Sequence, residues 1–303
     1  MKKFLCMAIT VMMLLTLAIL PALAESSPLM YKVTDKDGHS IYVLGTLHMT
    51  DKDTLPIKGL DEILGNVDRV IFELSAEDME KVVHAGELAG ADAAQLAGSI
   101  ENDVPVFVLD NGLSEETLNL LAGFFSRAFQ QEMEADNLRM ISVPVLYQML
   151  QAQLSAMSGY DSSKSVDFAV YEKAKELGKK IEGAETIAEQ VKAVNAEGVN
   201  QVASEKQIQE LLNDPAKVKD EMDAMVRAYN NGDKDTLVKI FSAEGARSAA
   251  DAGRNANFLK VAEKALADGG RTLIAIGIYH IIAEDGLFNA LTQAGYTVEA
   301  VNK

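Results

Sequence analysis

Two apolar runs near opposite ends of the chain, Ile41-Tyr42-Val43-Leu44 and Thr272-Leu273-Ile274-Ala275-Ile276, are each followed by a Gly-x-x-His word. Both runs are short for helices and end in glycine, so they read as buried strands. Strands buried on both faces need helices above and below their sheet, which is the α/β arrangement. The words themselves, Gly45-Thr46-Leu47-His48 and Gly277-Ile278-Tyr279-His280, hold two of the four histidines in the sequence. A residue at the end of such a strand faces the crevice where α/β sheets carry their ligands.

Spacing alone leaves two readings open. The histidines are either half-buried rings hydrogen-bonded to nearby backbone, or a pair of ligands or bases.

Between and around the two words the pattern is consistent with one mixed sheet. A strand over 29–33, a turn at Asp35-Lys36-Asp37-Gly38 and a strand over 40–44 form a hairpin signal with His39 in its loop. An amphipathic stretch over 57–64 precedes a strand over 68–74 that carries Glu73 near its end. An Ala-rich helix over 77–100 places His84 on its surface, and 104–109 reads as a further strand. From 114 to 157 the period is helical, with Ser114-Glu115-Glu116-Thr117 as a start signal and Pro144 as a break or an opening turn. A helix over 165–177 closes at Gly178, a strand follows over 180–183, and the chain is then helical to about 266. The end reads as a βαβ unit: a helix over 255–268, the turn Gly269-Gly270, the second His strand, a helix over 284–294 and a strand over 296–301. The expectation is a single α/β domain over 25–303, a mixed β-sheet flanked by helices, with a large helical insertion over about 114–266.

Met1-Lys2-Lys3, an unbroken apolar run over 4–20 and Ala22-Leu23-Ala24 are the three parts of a Sec signal peptide, with cleavage expected after Ala24. Export to the periplasm or the medium follows, with no stable membrane association once the signal is removed. An uncleaved anchor is the alternative, at the short limit for a membrane span. The sole cysteine, Cys6, lies within this segment, so disulfides and thiolate metal sites are excluded from the mature chain. Loss of Lys2 and Lys3 takes the formal charge from −17 to about −19, dispersed along the chain, which disfavours nucleic acid and anionic lipid as partners.

If His48 and His280 meet above neighbouring strand ends, Glu73 is the natural third member. Two imidazoles and a carboxylate suit a divalent metal with an open position for water. Glu73 reads equally as the partner of an arginine. Asp161, Glu185 and Arg254 are further candidates, and Tyr42, Tyr160 and Tyr279 are candidate site or core aromatics. No phosphate loop, nucleophile elbow, dinucleotide fingerprint or His-Glu-x-x-His word is present.

The words Tyr42-Val43-Leu44-Gly45-Thr46-Leu47-His48, Phe72-Glu73-Leu74, Gly159-Tyr160-Asp161, Glu185-Thr186 with Glu189-Gln190, Arg254-Asn255, Gly277-Ile278-Tyr279-His280 with Asp285-Gly286-Leu287, and Gly295-Tyr296 occur in one order. That ordered set resembles the TraB/GumN family over nearly the whole mature chain. The family includes the animal Tiki proteins, which are metal-dependent proteases, and its fold is related to erythromycin-esterase and haem-binding ChaN-like proteins. The resemblance implies a divalent metal, manganese or cobalt before zinc or iron, held by His48, His280 and Glu73. It implies Glu73 as ligand or general base, Arg254 and Asn255 as residues positioning a carbonyl or oxyanion, and Glu185 as a residue orienting a histidine. Asp161 and Tyr279 are carried along as substrate-positioning residues. The implied function is an exported hydrolase of peptides or other small-molecule substrates, with a non-catalytic metal-, haem- or peptide-binding protein as the alternative. One departure stands out: many relatives have Leu-x-Gly-x-Asp-Gly after the second histidine, and here Ala283 replaces the first of those glycines.

Overall fold

The computed structural model describes residues 26–51, 53–80, 108–160, 165–187, 189–190, 204–243 and 249–301. The signal-like segment, the first four residues of the strand read at 104–109, most of the helix read at 77–100 with His84, and Asp161 lie outside the described residues, and residues 108 and 109 are not in a strand.

Six strands form one sheet in the order β4-β3-β5-β2-β1-β6. They are β1 (Met30–Thr34), β2 (Ser40–Thr46), β3 (Arg69–Leu74), β4 (Lys180–Glu185), β5 (Thr272–Gly277) and β6 (Thr297–Ala300). β5 pairs parallel with both β2 and β3, and β4 parallel with β3. β1 pairs antiparallel with β2 and with β6, so it alone runs against the other five. The hairpin expected from the turn at 35–38 is therefore present, and His39 sits in its loop, bonded to Asp35.

The residues at the centre explain why these segments are strands. Leu273, Ile274, Ala275 and Ile276 of β5 are each 0% exposed, so both faces of that strand are covered. Such a strand can only be central, because every side chain must leave water. β3 leads outward to β4, whereas β5 leads in the opposite direction to β6. The carboxyl ends of β2, β3, β4 and β5 therefore share one edge around a switch in chain direction, which is where open α/β sheets place ligands.

The helices are α1 (Leu60–Asn66), α2 (Glu115–Phe129), α3 (Ala135–Arg139), α4 (Val143–Met157), α5 (Val166–Glu176) and α6 (Glu205–Asn213), then α7 (Pro215–Asn230), α8 (Lys234–Ala243), α9 (Ala249–Ala267), α10 (Ile278–Ile282) and α11 (Leu287–Gln293). Ser114 caps α2 by accepting from the Thr117 amide, as the start signal requires, and Pro144 occupies the opening turn of α4. Two apolar clusters result. One surrounds the sheet; the other joins α2, α3, α4, α6 and the start of α7 through residues such as Leu118, Phe125, Leu146 and Ile208. Met222 on α7 packs against both.

Three details differ from the sequence reading. His280 does not close a strand: β5 stops at Gly277 and the histidine rides on the five-residue helix α10. The helix read over 284–294 is α11, which starts only at Leu287 because Gly286 first brings the chain against the Ile281 and Ala283 backbone, and α10 is a separate short helix that was not expected. The helix read from 255 begins at Ala249, so Arg254 and Asn255 lie inside α9. The terminal strand keeps the parallel sense of a βαβ unit, but β2 and β1 lie between it and β5.

Candidate functional site

The two Gly-x-x-His words meet. Thr46 is in register with Gly277 across the parallel β2–β5 pair, so each chain leaves the sheet at the same level. Gly45 sets how closely they meet. A Cβ there would stand 2.1 Å from Ile278 Cδ1, so the first word's glycine is the seat of the second word's isoleucine. The buried Tyr229 hydroxyl donates to the Gly45 carbonyl oxygen at 2.6 Å and fixes that turn from α7.

His48 leaves this turn on its exposed side, with its side chain 69% accessible. Its Nδ1 lies 3.0 Å from Asp167 Oδ2, and the Thr46 hydroxyl donates to Asp167 Oδ1 at 2.6 Å. Asp167 sits in the first turn of α5 and is 8% exposed. Its charge is the largest influence on His48 and, with the hydrogen bond, pushes the imidazole up from 6.5 to about 9 against the opposing effect of desolvation. Burial works against the Asp167 carboxylate, but His48 and the Thr46 hydroxyl outweigh it and hold the carboxyl below its usual range. Glu73 and Arg254 also contribute to the field at His48, so all four belong to one neighbourhood.

His280 is 6% exposed, and its Nδ1 lies 2.8 Å from Asn255 Oδ1. Asn255 Nδ2 donates to Asp285 Oδ1 at 2.8 Å. The Phe258 ring packs edge-on against the imidazole, with centroids 5.1 Å apart. Asn255 is therefore a holder of His280.

Between the histidines lies a buried carboxylate–guanidinium cluster. Glu73 Oε1 accepts from the Gly277 amide at 2.7 Å, and Oε2 accepts from Arg254 Nη2 at 2.8 Å and from Gln190 Nε2 at 2.8 Å. Glu185, the last residue of β4, accepts from Arg254 Nε at 3.1 Å on both oxygens and from Nη2 at 2.5 Å. Burial opposes the Arg254 charge, but the hydrogen bonds and charges of the two glutamates outweigh it and raise its pKa. Gly277 permits this, since a Cβ there would stand 3.0 Å from Glu73 Oε1 and 3.6 Å from His280 Cδ2. Nη1 of Arg254 has no partner among the described residues.

Glu185 thus orients Arg254, whereas the resemblance placed it behind a histidine. Among the described residues no group of three or more His, Cys, Asp or Glu side chains converges closely enough to hold a metal ion. Glu73 is held toward Arg254, and with three donors on its two oxygens about one of its roughly four acceptor positions is left. The two histidines fit a metal by their chemistry, each gripped at Nδ1 by an oxygen. Tyr279 packs T-shaped on Phe241 at 5.6 Å and lines a cleft of about 290 Å³ with Val238, Ile282 and Glu284. Tyr160 lies elsewhere, bonded to Asp223 in a polar cavity of about 450 Å³ that also touches Asp51 and Arg227. Tyr42 is a half-buried residue of β2 opposite Lys32. Asp167, Gln190, Tyr229 and Asp285 complete the neighbourhood. None had been given a role from the sequence, although Gln190 and Asp285 lie within the ordered words.

The fold and the site together define a class: an α/β protein with paired Gly-x-x-His histidines and a Glu–Arg–Glu cluster at the carboxyl edge of its parallel strands. The family model described as the TraB/PrgY/gumN family matches residues 29–300, and the chain belongs to that family. No curated protein and no solved structure matches the chain significantly.

Proposed function

We propose that this chain is an exported metal-dependent hydrolase acting on peptides. The observation that carries the reading is the register of Thr46 with Gly277, which sets the two Gly-x-x-His words side by side, each histidine held at Nδ1. Histidines that ligate metals donate their other ring N–H to a carboxylate, carbonyl or water. His48 and His280 are the residues that would hold the ion, manganese or cobalt first and zinc or iron next. A bound divalent ion brings water toward neutral pKa and polarises a carbonyl. The chain's own groups do the rest. Glu73, aimed by the Gly277 amide and Arg254, takes a proton on its remaining acceptor position. Arg254 offers Nη1 to negative charge developing on a carbonyl oxygen, and Glu185 keeps the guanidinium from turning away. The Tyr279 cleft takes a neighbouring group of the substrate.

The test is calorimetric titration of the chain from residue 25 with manganese, cobalt, zinc and iron, alongside His48→Ala and His280→Ala. Stoichiometric binding that disappears in both variants supports the reading, and binding indifferent to both sinks it.

The engagement of Glu73 by three donors favours a second reading, an exported protein that binds a metal, haem or peptide in the same place without turnover. Cleavage of a peptide library that stops with chelator and resumes with added metal removes it.

A further inference from the structure

Two carboxylates that the proposed mechanism leaves unused, Asp167 and Asp285, stand behind the two histidines. We infer that they are positioning residues imposing the same tautomer, Nδ1–H, on His48 and His280, Asp167 directly and Asp285 through the side-chain amide of Asn255. The inference deepens the metal reading, since a histidine with its proton on Nδ1 presents Nε2 as its donor atom.

For His48 the argument is short. An ionised carboxylate only accepts. Asp167 Oδ1 takes the Thr46 hydroxyl at 2.6 Å and Oδ2 faces His48 Nδ1 at 3.0 Å, so the ring proton lies on Nδ1. Asp167 occupies the first turn of α5, where the helix amides favour its negative charge.

For His280 the same result arrives through one more link. An asparagine amide can face either way, and only its partners decide which. Here Asp285 Oδ1 stands 2.8 Å from one end of the Asn255 amide and accepts, so that end is the nitrogen. The other end is then the oxygen, 2.8 Å from His280 Nδ1, which must donate to it. Asn255 is 3% exposed and His280 6%, so solvent has little access to replace either bond. Two different pairs of elements, β2 with α5 and α9 with the α10–α11 turn, thus deliver the same ring state to neighbouring positions.

The experiment is the long-range 1H–15N spectrum of the metal-free, 15N-histidine-labelled chain at alkaline pH, where the rings are neutral. The expected result is a protonated-type Nδ1 and an acceptor-type Nε2 for both His48 and His280. A proton on Nε2 of either ring in the unmodified protein overturns the inference without any variant. Asp167→Ala should release His48 to the Nε2–H form that an unconstrained imidazole prefers, leaving His280 unchanged. Asp285→Asn should mix the tautomers of His280 alone, so in each variant the untouched histidine reports that the chain is folded. If both variants keep both tautomers, the positioning roles fall. Cobalt affinity should weaken about 10–100-fold in each variant. Tautomers that move as expected in a chain that binds no cobalt would leave the positioning intact and reject the metal-dependent hydrolase.

Discussion

Arg254 holds two carboxylates that have almost no water, with Glu73 side-chain exposure at 9% and Glu185 at 3%. Arg254→Met leaves both charges without their counterion, and the expected loss is about 3–5 kcal/mol of unfolding free energy, read by denaturant titration. Replacing Glu185 and Arg254 together with apolar residues of similar volume should cost less than Arg254→Met alone. The His48–Asp167 pair makes a smaller, pH-dependent contribution because water and salt reach the exposed imidazole. His48 is raised above 6.5, so its share is complete below that pH and disappears as pH climbs through about 9. Asp167 is lowered below 3.8, so its share is complete above that value and is lost on further acidification. The difference in melting temperature between the metal-free protein and Asp167→Asn should therefore be largest between about pH 4 and 6.5 and fade toward pH 9 and beyond. His48 and His280 were legible in the sequence because the Gly-x-x-His spacing marks them, Glu73 because it lies near the end of a buried strand, and Arg254 through the family resemblance. Asp167 was not, since an aspartate in the first turn of an amphipathic helix looks like any residue answering the helix dipole. Only the packing of α5 under the Thr46 turn, more than a hundred residues away, gives it a histidine.

At the scale of elements, Gly45 and Gly183 stand at two close approaches of different kinds. Gly45→Ala meets the tip of a flexible side chain, Ile278 Cδ1, and should cost about 1–3 kcal/mol. Ile278→Val removes that methyl, so the double variant should be more stable than the sum of the single losses predicts, a coupling measurable by a double-mutant cycle. Gly183→Ala in β4 meets Ser75 N at 2.3 Å and Leu74 C at 2.7 Å, which are backbone atoms and cannot swing aside, so its loss should exceed that of Gly45→Ala. Ala283 answers the one departure from the family pattern. Its backbone, at φ −55° and ψ 161°, is open to any residue, so this turn does not need the missing glycine. Ala283→Gly should leave the site intact and lower stability by about 0.4–1 kcal/mol through the unfolded chain. The central strands were readable because their apolar runs have few alternatives. The short helix α10 was not, because its residues follow directly on the apolar run of β5 and its end is set by the fit of Gly286 against the preceding backbone.

For the whole molecule, the two apolar clusters divide the labour. The sheet cluster includes the apolar residues that pack at the site, among them Tyr229, Phe258 and Ile278, while the α2–α4–α6 cluster touches it at Met222 of α7. Phe125→Ala, at 0% exposure in the second cluster, should destabilise by about 3–5 kcal/mol. The same variant should leave the His48 and His280 imidazole signals where they are, because Asp167, Asn255, Phe258 and Tyr279, which touch those rings, lie on other elements than α2. The edge of the sheet has a further consequence. β1 is flanked by β2 and by the last strand of the chain, and the Val301 amide donates to the Met30 carbonyl oxygen at 2.9 Å. A nascent polypeptide can form the β1–β2 hairpin early, but the other side of β1 stays bare until residues 297–301 are available. Closure of that edge thus waits on residues far along the sequence from the hairpin they cover, a timetable written into strand order and not into any single side chain.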